Sequence, residues 1–343
     1  MLEQSDIAHY LLSLSVVKPQ TVIDEDFRVV DASRRNSVFL ATTRSGPTFV
    51  VKQSVSGDTS SLAHEATVLR LLAGAPALAP HVPEVVCFDG SCLVLATRGG
   101  AQPWSDLPAP FRRLPARQLG RLLAGLHTAP TDGPAAPDPI WGLQLTEPPR
   151  SLVLQLSAAA QDLLARVQAS DFLAGRLAEL RAESTADAFT HGDLRWDNCL
   201  VHPVDGRSRA SAVLVVDWEC AGRADPAYDV GSVFAEYLRA WLSSVPIVEP
   251  LDPGRLVDRA RYPLASIRPS VRAFWSVYRS ATLRPPPLRR AVELTAVRLL
   301  QVAIEAAQGL AAATAHVVTM LQLADNMLRR PDVAATALLG LEE

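Results

Sequence analysis

The stretch His191-Gly192-Asp193-Leu194-Arg195-Trp196-Asp197-Asn198-Cys199-Leu200-Val201, followed after a hairpin-like excursion by Val215-Val216-Asp217-Trp218-Glu219, decides how this 343-residue chain is read. Short apolar runs flank it, Ala188 to Thr190 before and Leu200 to His202 after, and the run Ala212 to Val216 delivers a further carboxylate at its end. Moving a phosphoryl group requires a base for the incoming hydroxyl and oxygen ligands for magnesium, both held still. Asp193 suits the first task, and Asn198 and Asp217 suit the second as metal ligands. Any one of them alone reads equally well as an Asp or Asn shaping a turn. The ordered set is more specific, because Asp193-x-x-x-x-Asn198 has the spacing of a kinase catalytic loop and Asp217 follows where a second metal-binding Asp is expected.

The upstream sequence supplies matching parts. From Phe27 the pattern turns to short β-rich runs, Phe27 to Val30, Val38 to Thr42 and Thr48 to Val51, with a hairpin of Val85 to Phe88 and Cys92 to Ala96 around Asp89-Gly90-Ser91. Lys52 ends the third run, and the helical stretch Ser61 to Leu72 carries Glu65. A strand lysine followed by a helix glutamate is the pair with which kinases hold the α- and β-phosphates. Lys18 and Lys52 are the only lysines in the chain, which singles Lys52 out. The loop Asp31-Ala32-Ser33-Arg34-Arg35-Asn36-Ser37 has no glycine. A phosphate-covering lid normally uses glycines, so Arg34, Arg35, Asn36 and Ser37 are candidate side-chain donors to phosphate, or else form a solvated basic turn. No Gly-x-x-x-x-Gly-Lys-[Ser/Thr] occurs, which removes the P-loop class. Thr97-Arg98-Gly99-Gly100 makes a natural hinge.

These motifs resemble the aminoglycoside phosphotransferase and choline kinase branch of the protein-kinase-like fold, which writes the loop His-Gly-Asp. The resemblance implies an α+β, bilobal architecture: residues 1–96 as an N-terminal lobe with a lead-in helix, a small five-stranded antiparallel sheet and the Glu65 helix, and residues 97–343 as a mainly helical C-terminal lobe holding the catalytic loop 191–198 and Asp217. It implies ATP and Mg2+ as cofactors, Asp193 as base, and adenine received by the hinge backbone around Thr97 and Gly99. Arg195 stands two residues after the base, where Ser/Thr protein kinases place a lysine that contacts the transferred group. Its alternative is a pairing with Asp197 or a surface acid. Leu-Gly-Arg-Leu-Leu-Ala-Gly-Leu-His, ending at His127, is typical of the same family, with His127 expected as a buried structural residue. Asp229, in Asp225-Pro226-Ala227-Tyr228-Asp229-Val230-Gly231, either braces the catalytic loop or caps a helix.

A narrower resemblance runs from Ser33 to about Pro246. Ser33-Arg34-Arg35-Asn36, Val51-Lys52-Gln53, the 191–198 loop, Val216-Asp217-Trp218-Glu219 and the segment from Asp225 to Ser232 look like the phosphotransferase-family kinases of class V lanthipeptide and thioamitide pathways. It implies phosphorylation of Ser or Thr in a ribosomally made precursor peptide, with a separate lyase partner eliminating the phosphate. Between Arg255 and Arg298 lie ten arginines and two acids, Asp258 and Glu293. That balance suits an acidic peptide or partner better than a polycationic aminoglycoside. Two other readings stay open: a small-molecule kinase acting on an antibiotic, sugar or amino alcohol, and a pseudokinase scaffold for a partner enzyme. Retention of Lys52, Asp193, Asn198 and Asp217 argues against the scaffold.

Bulk properties narrow the setting. The net charge of -3 gives no general attraction to nucleic acid or acidic membranes. Cys87, Cys92, Cys199 and Cys220 form no Cys-x-x-Cys pair, and no apolar run reaches the length of a membrane span, so a cytoplasmic setting is expected. Later helices are expected near 115–127, 152–168, 172–182, 230–242, 271–281, 289–313 and 316–328, with a Pro-rich loop at 129–150 holding Trp141.

Overall fold

A computed structural model of the chain describes residues 1–24, 26–33, 37–44, 46–107, 111–129, 133–137, 140–202, 213–246 and 259–342. They form two compact units, Met1–Leu107 with Trp196–Ala221, and Pro108–Arg195 with Gly222–Glu343. The first unit therefore takes in the ribbon bearing Asn198 and Asp217 in addition to the segment 1–96.

In the first unit, helix α1 (Ile7–Ser13) is the lead-in helix that the spacing suggests, ending before Pro19, and a second short helix, α2 (Pro19–Asp24), follows it. Ser15 adopts a left-handed φ of 57°, and Pro19 opens a new helix where its missing N–H is harmless. Strands β1 (Arg28–Asp31), β2 (Ser37–Thr42), β3 (Thr48–Gln53), β4 (Glu84–Phe88) and β5 (Cys92–Thr97) form an antiparallel sheet in the order β1-β2-β3-β5-β4. Strand alternation gives this sheet two different faces. Phe49 and Val51 join Phe39, Ala41 and Val94 against Ile7 and Leu11 of α1. Val50 and Lys52 turn the other way, alongside their register partners Leu95 and Leu93 on β5. Helix α3 (Ser60–Ala73), with Leu62, Ala66, Leu69 and Leu72 buried, presents Glu65 to that second face. A separate three-stranded ribbon comprises Gln102–Pro103, Cys199–Val201 and Val213–Val215.

The second unit pairs strands Ala188–Thr190 and Gly222–Ala224 and is otherwise helical. Its helices are α4 (Arg113–Thr128), α5 (Arg150–Val153), α6 (Ala158–Gln168), α7 (Asp171–Ala182), α8 (Pro226–Leu242), α9 (Arg268–Ala281), α10 (Leu288–Ala306) and α11 (Ala315–Arg329). The stripe Leu119, Leu122, Leu123 and Leu126 buries α4, which packs on α9. Helix α10 is buried nearly all round, against α8, α11 and α6. The expected 152–168 helix is interrupted: Ser157 leaves the helical path to cap α6, accepting from the Ala160 N–H at 3.4 Å. The expected 289–313 helix stops at Ala306, ahead of the left-handed Gly309. Gly231 on α8 is needed for close packing, since a Cβ there would stand 2.8 Å from Thr295 N and 2.9 Å from Ala291 O of α10. Among the described residues no helix is long and apolar enough to cross a membrane, and the four cysteines are free thiols.

Candidate active site

In the first unit the site begins with a buried cation. The ammonium of Lys52, only 8% exposed, donates to both oxygens of Glu65 at 2.9 and 2.8 Å and to Oδ1 of Asp217 at 2.7 Å. Burial works against the charged form of Lys52, but the two carboxylates outweigh it and hold its pKa above the ordinary lysine value. Glu65 is fully buried and also accepts from the Trp218 N–H at 3.2 Å. It thereby ties α3 to the turn that carries Asp217.

That turn is strained. Asp217 has φ 68° and ψ 63°, a left-handed conformation that an ordinary side chain adopts at a penalty of about 1–3 kcal/mol. Trp218 supplies the restraint: it is buried, and its indole N–H donates to Val215 O at 2.8 Å. On the neighbouring strand Cys199 pairs with Val215, and the Val216 N–H donates to Asn198 O at 2.9 Å. Asn198 and Asp217 therefore leave the same end of one ribbon. Trp196, two residues before Asn198, stacks on Trp104 with centroids 5.5 Å apart and planes 6° from parallel.

The other residues expected to cradle nucleotide divide. Thr97 ends β5, with its hydroxyl donating to Thr48 O at 3.3 Å, and Gly99 lies against the Gly46 carbonyl, where a side chain would collide. Ser37 accepts from Gln53 Nε2 at 3.2 Å, and Gln53 in turn bonds Leu2 on the α1 side of the sheet, so Ser37 does not gather with Lys52. Arg34, Arg35 and Asn36 lie outside the described residues. The flanks of their loop are pinned by side chains: the Ser33 N–H donates to Asp31 Oδ1 at 2.8 Å and the Val38 N–H to Ser33 Oγ at 3.0 Å.

In the second unit, the loop from His191 to Arg195 is held from below. Asp229 accepts from the His191 N–H at 2.7 Å and the Gly192 N–H at 3.0 Å, and from His127 Nε2 at 3.2 Å. Asp229 is thus a brace, and the helix cap is Asp225, which accepts from the Ala227 N–H at 2.9 Å. Burial alone would raise the Asp229 pKa, but the His127 hydrogen bond, the neighbouring histidines and the loop N–H groups hold it below the ordinary aspartate value. His127 is buried and structural as expected, with Nδ1 2.8 Å from the Tyr278 hydroxyl. Gly192 takes φ 80°, which frees the loop to turn sharply before Asp193.

Asp193 meets a partner that its sequence neighbourhood does not announce. Arg298 of α10 donates from Nη2 to Asp193 Oδ1 at 2.6 Å, and from Nη1 to the Tyr228 hydroxyl at 3.3 Å. Burial opposes its charge, yet Tyr228, Asp193, Glu305 and Glu236 keep it firmly protonated. Arg195 lies 3.7 Å from Glu305 Oε2, so it does pair with an acid of the second unit. Arg298, Gln301 and Glu305 recur at one face of a helix that is buried nearly all round. An arginine inside such a helix is the signal that could have found them, because a buried cation demands a partner.

The arginine-rich region is also clarified. Arg268 and Arg272 bond the carbonyls of Ala337 and Gly340, Arg289 pairs with Asp332, Arg290 with Asp225, and Arg298 with Asp193. Five of the ten are thus committed within the second unit, and Arg255 lies outside the described residues. Three of these, Arg289, Arg290 and Arg298, meet carboxylates from outside the 255–298 stretch, so the surplus of positive charge is smaller than the sequence count implies.

Among the described residues no three His, Cys, Asp or Glu side chains gather as a metal cage. One carboxylate and one amide at the end of a ribbon fit magnesium nonetheless, because that ion keeps waters and takes much of its coordination from substrate phosphates. Residues 26–274 match the phosphotransferase enzyme family, APH. Viomycin phosphotransferase of Streptomyces vinaceus is 32% identical over 188 residues, a match spanning 50% of this chain and 61% of that relative's length. Among solved structures, a choline/ethanolamine kinase family protein from Mesorhizobium loti superposes with a TM-score of 0.55 at 17% identity, covering 97% of each chain. A choline kinase from Cryptosporidium parvum gives 0.57 at 13% identity, covering 98% of each. These structures share the protein-kinase-like α+β fold with the present chain. With a match across well over half of its length, the chain belongs to the APH phosphotransferase enzyme family.

Proposed function

We propose that this protein transfers the γ-phosphoryl group of ATP, with magnesium, to an alcohol, and that the acceptor is a Ser or Thr hydroxyl of a ribosomally made precursor peptide. The observation that carries the phosphotransferase reading is the Lys52 ammonium held at 2.7–2.9 Å between Glu65 and Asp217. Lys52, keeping Glu65, would donate to α- and β-phosphate oxygens, and Asp217 with Asn198 would hold the magnesium ion. Bound magnesium supplies charge neutralisation across the phosphates. Asp193 accepts the proton of the acceptor hydroxyl as its oxygen bonds to phosphorus and the bond to the ADP oxygen breaks. Arg195, kept in place by its pairing with Glu305, directs its remaining N–H groups to the transferred group, where a fixed cation is most effective as charge develops.

The peptide acceptor rests on the narrower resemblance and on the charge around the base. Asp193, Glu305 and Glu236 each have an arginine partner, Arg298, Arg195 and Arg239, so among the described residues these three acids offer a polycation no uncompensated charge. A phosphorylated peptide would then pass to a separate lyase in the cytoplasm. The small-molecule reading is favoured by what the relatives are called, choline kinases and a viomycin phosphotransferase. The test offers γ-labelled ATP and magnesium with a Ser/Thr-rich precursor peptide and, separately, aminoglycosides and amino alcohols. Label on the peptide, absent with Asp193→Asn, is the expected result. Label only on a small molecule would transfer the assignment to that class.

A further inference from the structure

We infer that Arg298 is a positioning residue for phosphoryl transfer: it fixes the rotation of the Asp193 carboxylate through Oδ1, and the α10 face it shares with Gln301 and Glu305 holds Arg195 in the same frame. The inference rests on the phosphotransferase reading of Asp193. Its geometry is a continuous chain within the second unit. Asp193 Oδ1 accepts from Arg298 at 2.6 Å, and the Tyr228 hydroxyl accepts from Arg298 at 3.3 Å. That hydroxyl donates to Gln301 Oε1 at 2.8 Å, Gln301 Nε2 donates to Glu305 Oε1 at 2.9 Å, and Glu305 Oε2 stands 3.7 Å from Arg195 Nη1. Both ends of the chain are residues of the catalytic loop. The middle is supplied by α8 and α10, whose backbones meet at Gly231.

A second observation separates positioning from plain structural support. Arg298 is 1% exposed, and its Nε has no hydrogen-bond partner among the described residues. Removing a guanidinium from water is expensive, and a buried unmet donor adds to that cost. An apolar side chain would pack this helix face at lower energy. Its partner, in contrast, keeps 27% of its side chain exposed, so Asp193 would not be stranded as a buried charge without the arginine. Arg298 therefore contributes little to stability, and its presence is accounted for by what it holds. A carboxylate able to rotate would spend less time aligned with the acceptor hydroxyl, and loss of alignment of this kind lowers turnover by roughly a hundredfold.

The experiment compares wild type with Arg298→Met, Arg298→Lys and Tyr228→Phe for kcat, KM for ATP and thermal midpoint, on whichever acceptor the wild-type protein labels. Arg298→Met is expected to keep or raise the midpoint, to leave KM for ATP within about twofold, and to lower kcat by about a hundredfold. Arg298→Lys, which keeps the charge but loses the fork, should fall between, and Tyr228→Phe should lose less than either. A folded Arg298→Met protein with wild-type kcat would overturn the inference while leaving the phosphotransferase reading intact. So would a fall in midpoint that matches the loss of activity, which would mark Arg298 as structural. A wild-type protein that labels no acceptor would overturn the phosphotransferase reading itself.

Discussion

Lys52 and Arg298 are both buried cations bonded to carboxylates, one in each unit, but the burial of their partners differs. Glu65 is fully buried, whereas Asp193 keeps 27% of its side chain exposed. Removing Lys52 strands a charge in the interior. Removing Arg298 leaves a carboxylate that water can still reach. The contrast teaches that the consequence of deleting a buried cation is set by its partner: the first cluster binds function and stability together, and the second separates them.

The sharpest way to break that comparison is Lys52→Met. Loss of one partner from a buried ion pair destabilises by about 3–5 kcal/mol, so the urea midpoint should fall steeply along with activity. Equal midpoints for Lys52→Met and Arg298→Met would erase the distinction. Asp229→Asn comes next, because Asp229 supports two loop N–H groups through charge-assisted bonds worth about 1.5–3 kcal/mol each. Its folded-state pKa lies below the unfolded value of 3.8, so the stability it supplies is complete above that value and disappears as the pH falls through the folded pKa. Wild type and Asp229→Asn should therefore differ in urea midpoint at pH 7 and pH 5, and converge as the pH drops below about 4. A gap that persists undiminished at pH 3 would show that the carboxylate charge is not what holds the loop.

The smallest effect sharpens the comparison from outside both clusters. Ser157→Ala removes the α6 cap and a bond to Ala307 O, and should reduce stability by about 1 kcal/mol with kcat unchanged. A drop in kcat with this variant would mean that turnover follows stability generally, and the Arg298 result would lose its meaning.

The first cluster was legible because its members are ordered along the chain in a way that secondary structure preserves. Lys52 closes a β-run and is one of two lysines, Glu65 falls on a helix that follows at once, and Asn198 and Asp217 flank two short apolar runs. Period-2 alternation alone then places Lys52 on the face opposite Phe49 and Val51. Ser37 illustrates the limit, since its strand neighbourhood could be read but not its pairing with Gln53 on the α1 side. In the second cluster the loop could be read and its supports could not. Arg298 lies 105 residues beyond Asp193, and their pairing depends on how α8 and α10 touch at Gly231. The two roles open to Asp229 were separated only when Asp225 proved to be the cap. A count of arginines likewise carried no information on which of them already have partners.

We assign the nucleotide to one cluster and the acceptor proton to the other. Calorimetric titration of ATP with magnesium into wild type, Lys52→Met, Asp217→Asn and Asp193→Asn, alongside γ-phosphoryl transfer by the same four proteins, tests it most directly. Asp193→Asn is expected to keep wild-type ATP affinity with transfer reduced about a thousandfold, and Lys52→Met and Asp217→Asn are expected to bind ATP more weakly. Transfer by Asp193→Asn at the wild-type rate, or ATP binding unaffected by the loss of both Lys52 and Asp217, would contradict it.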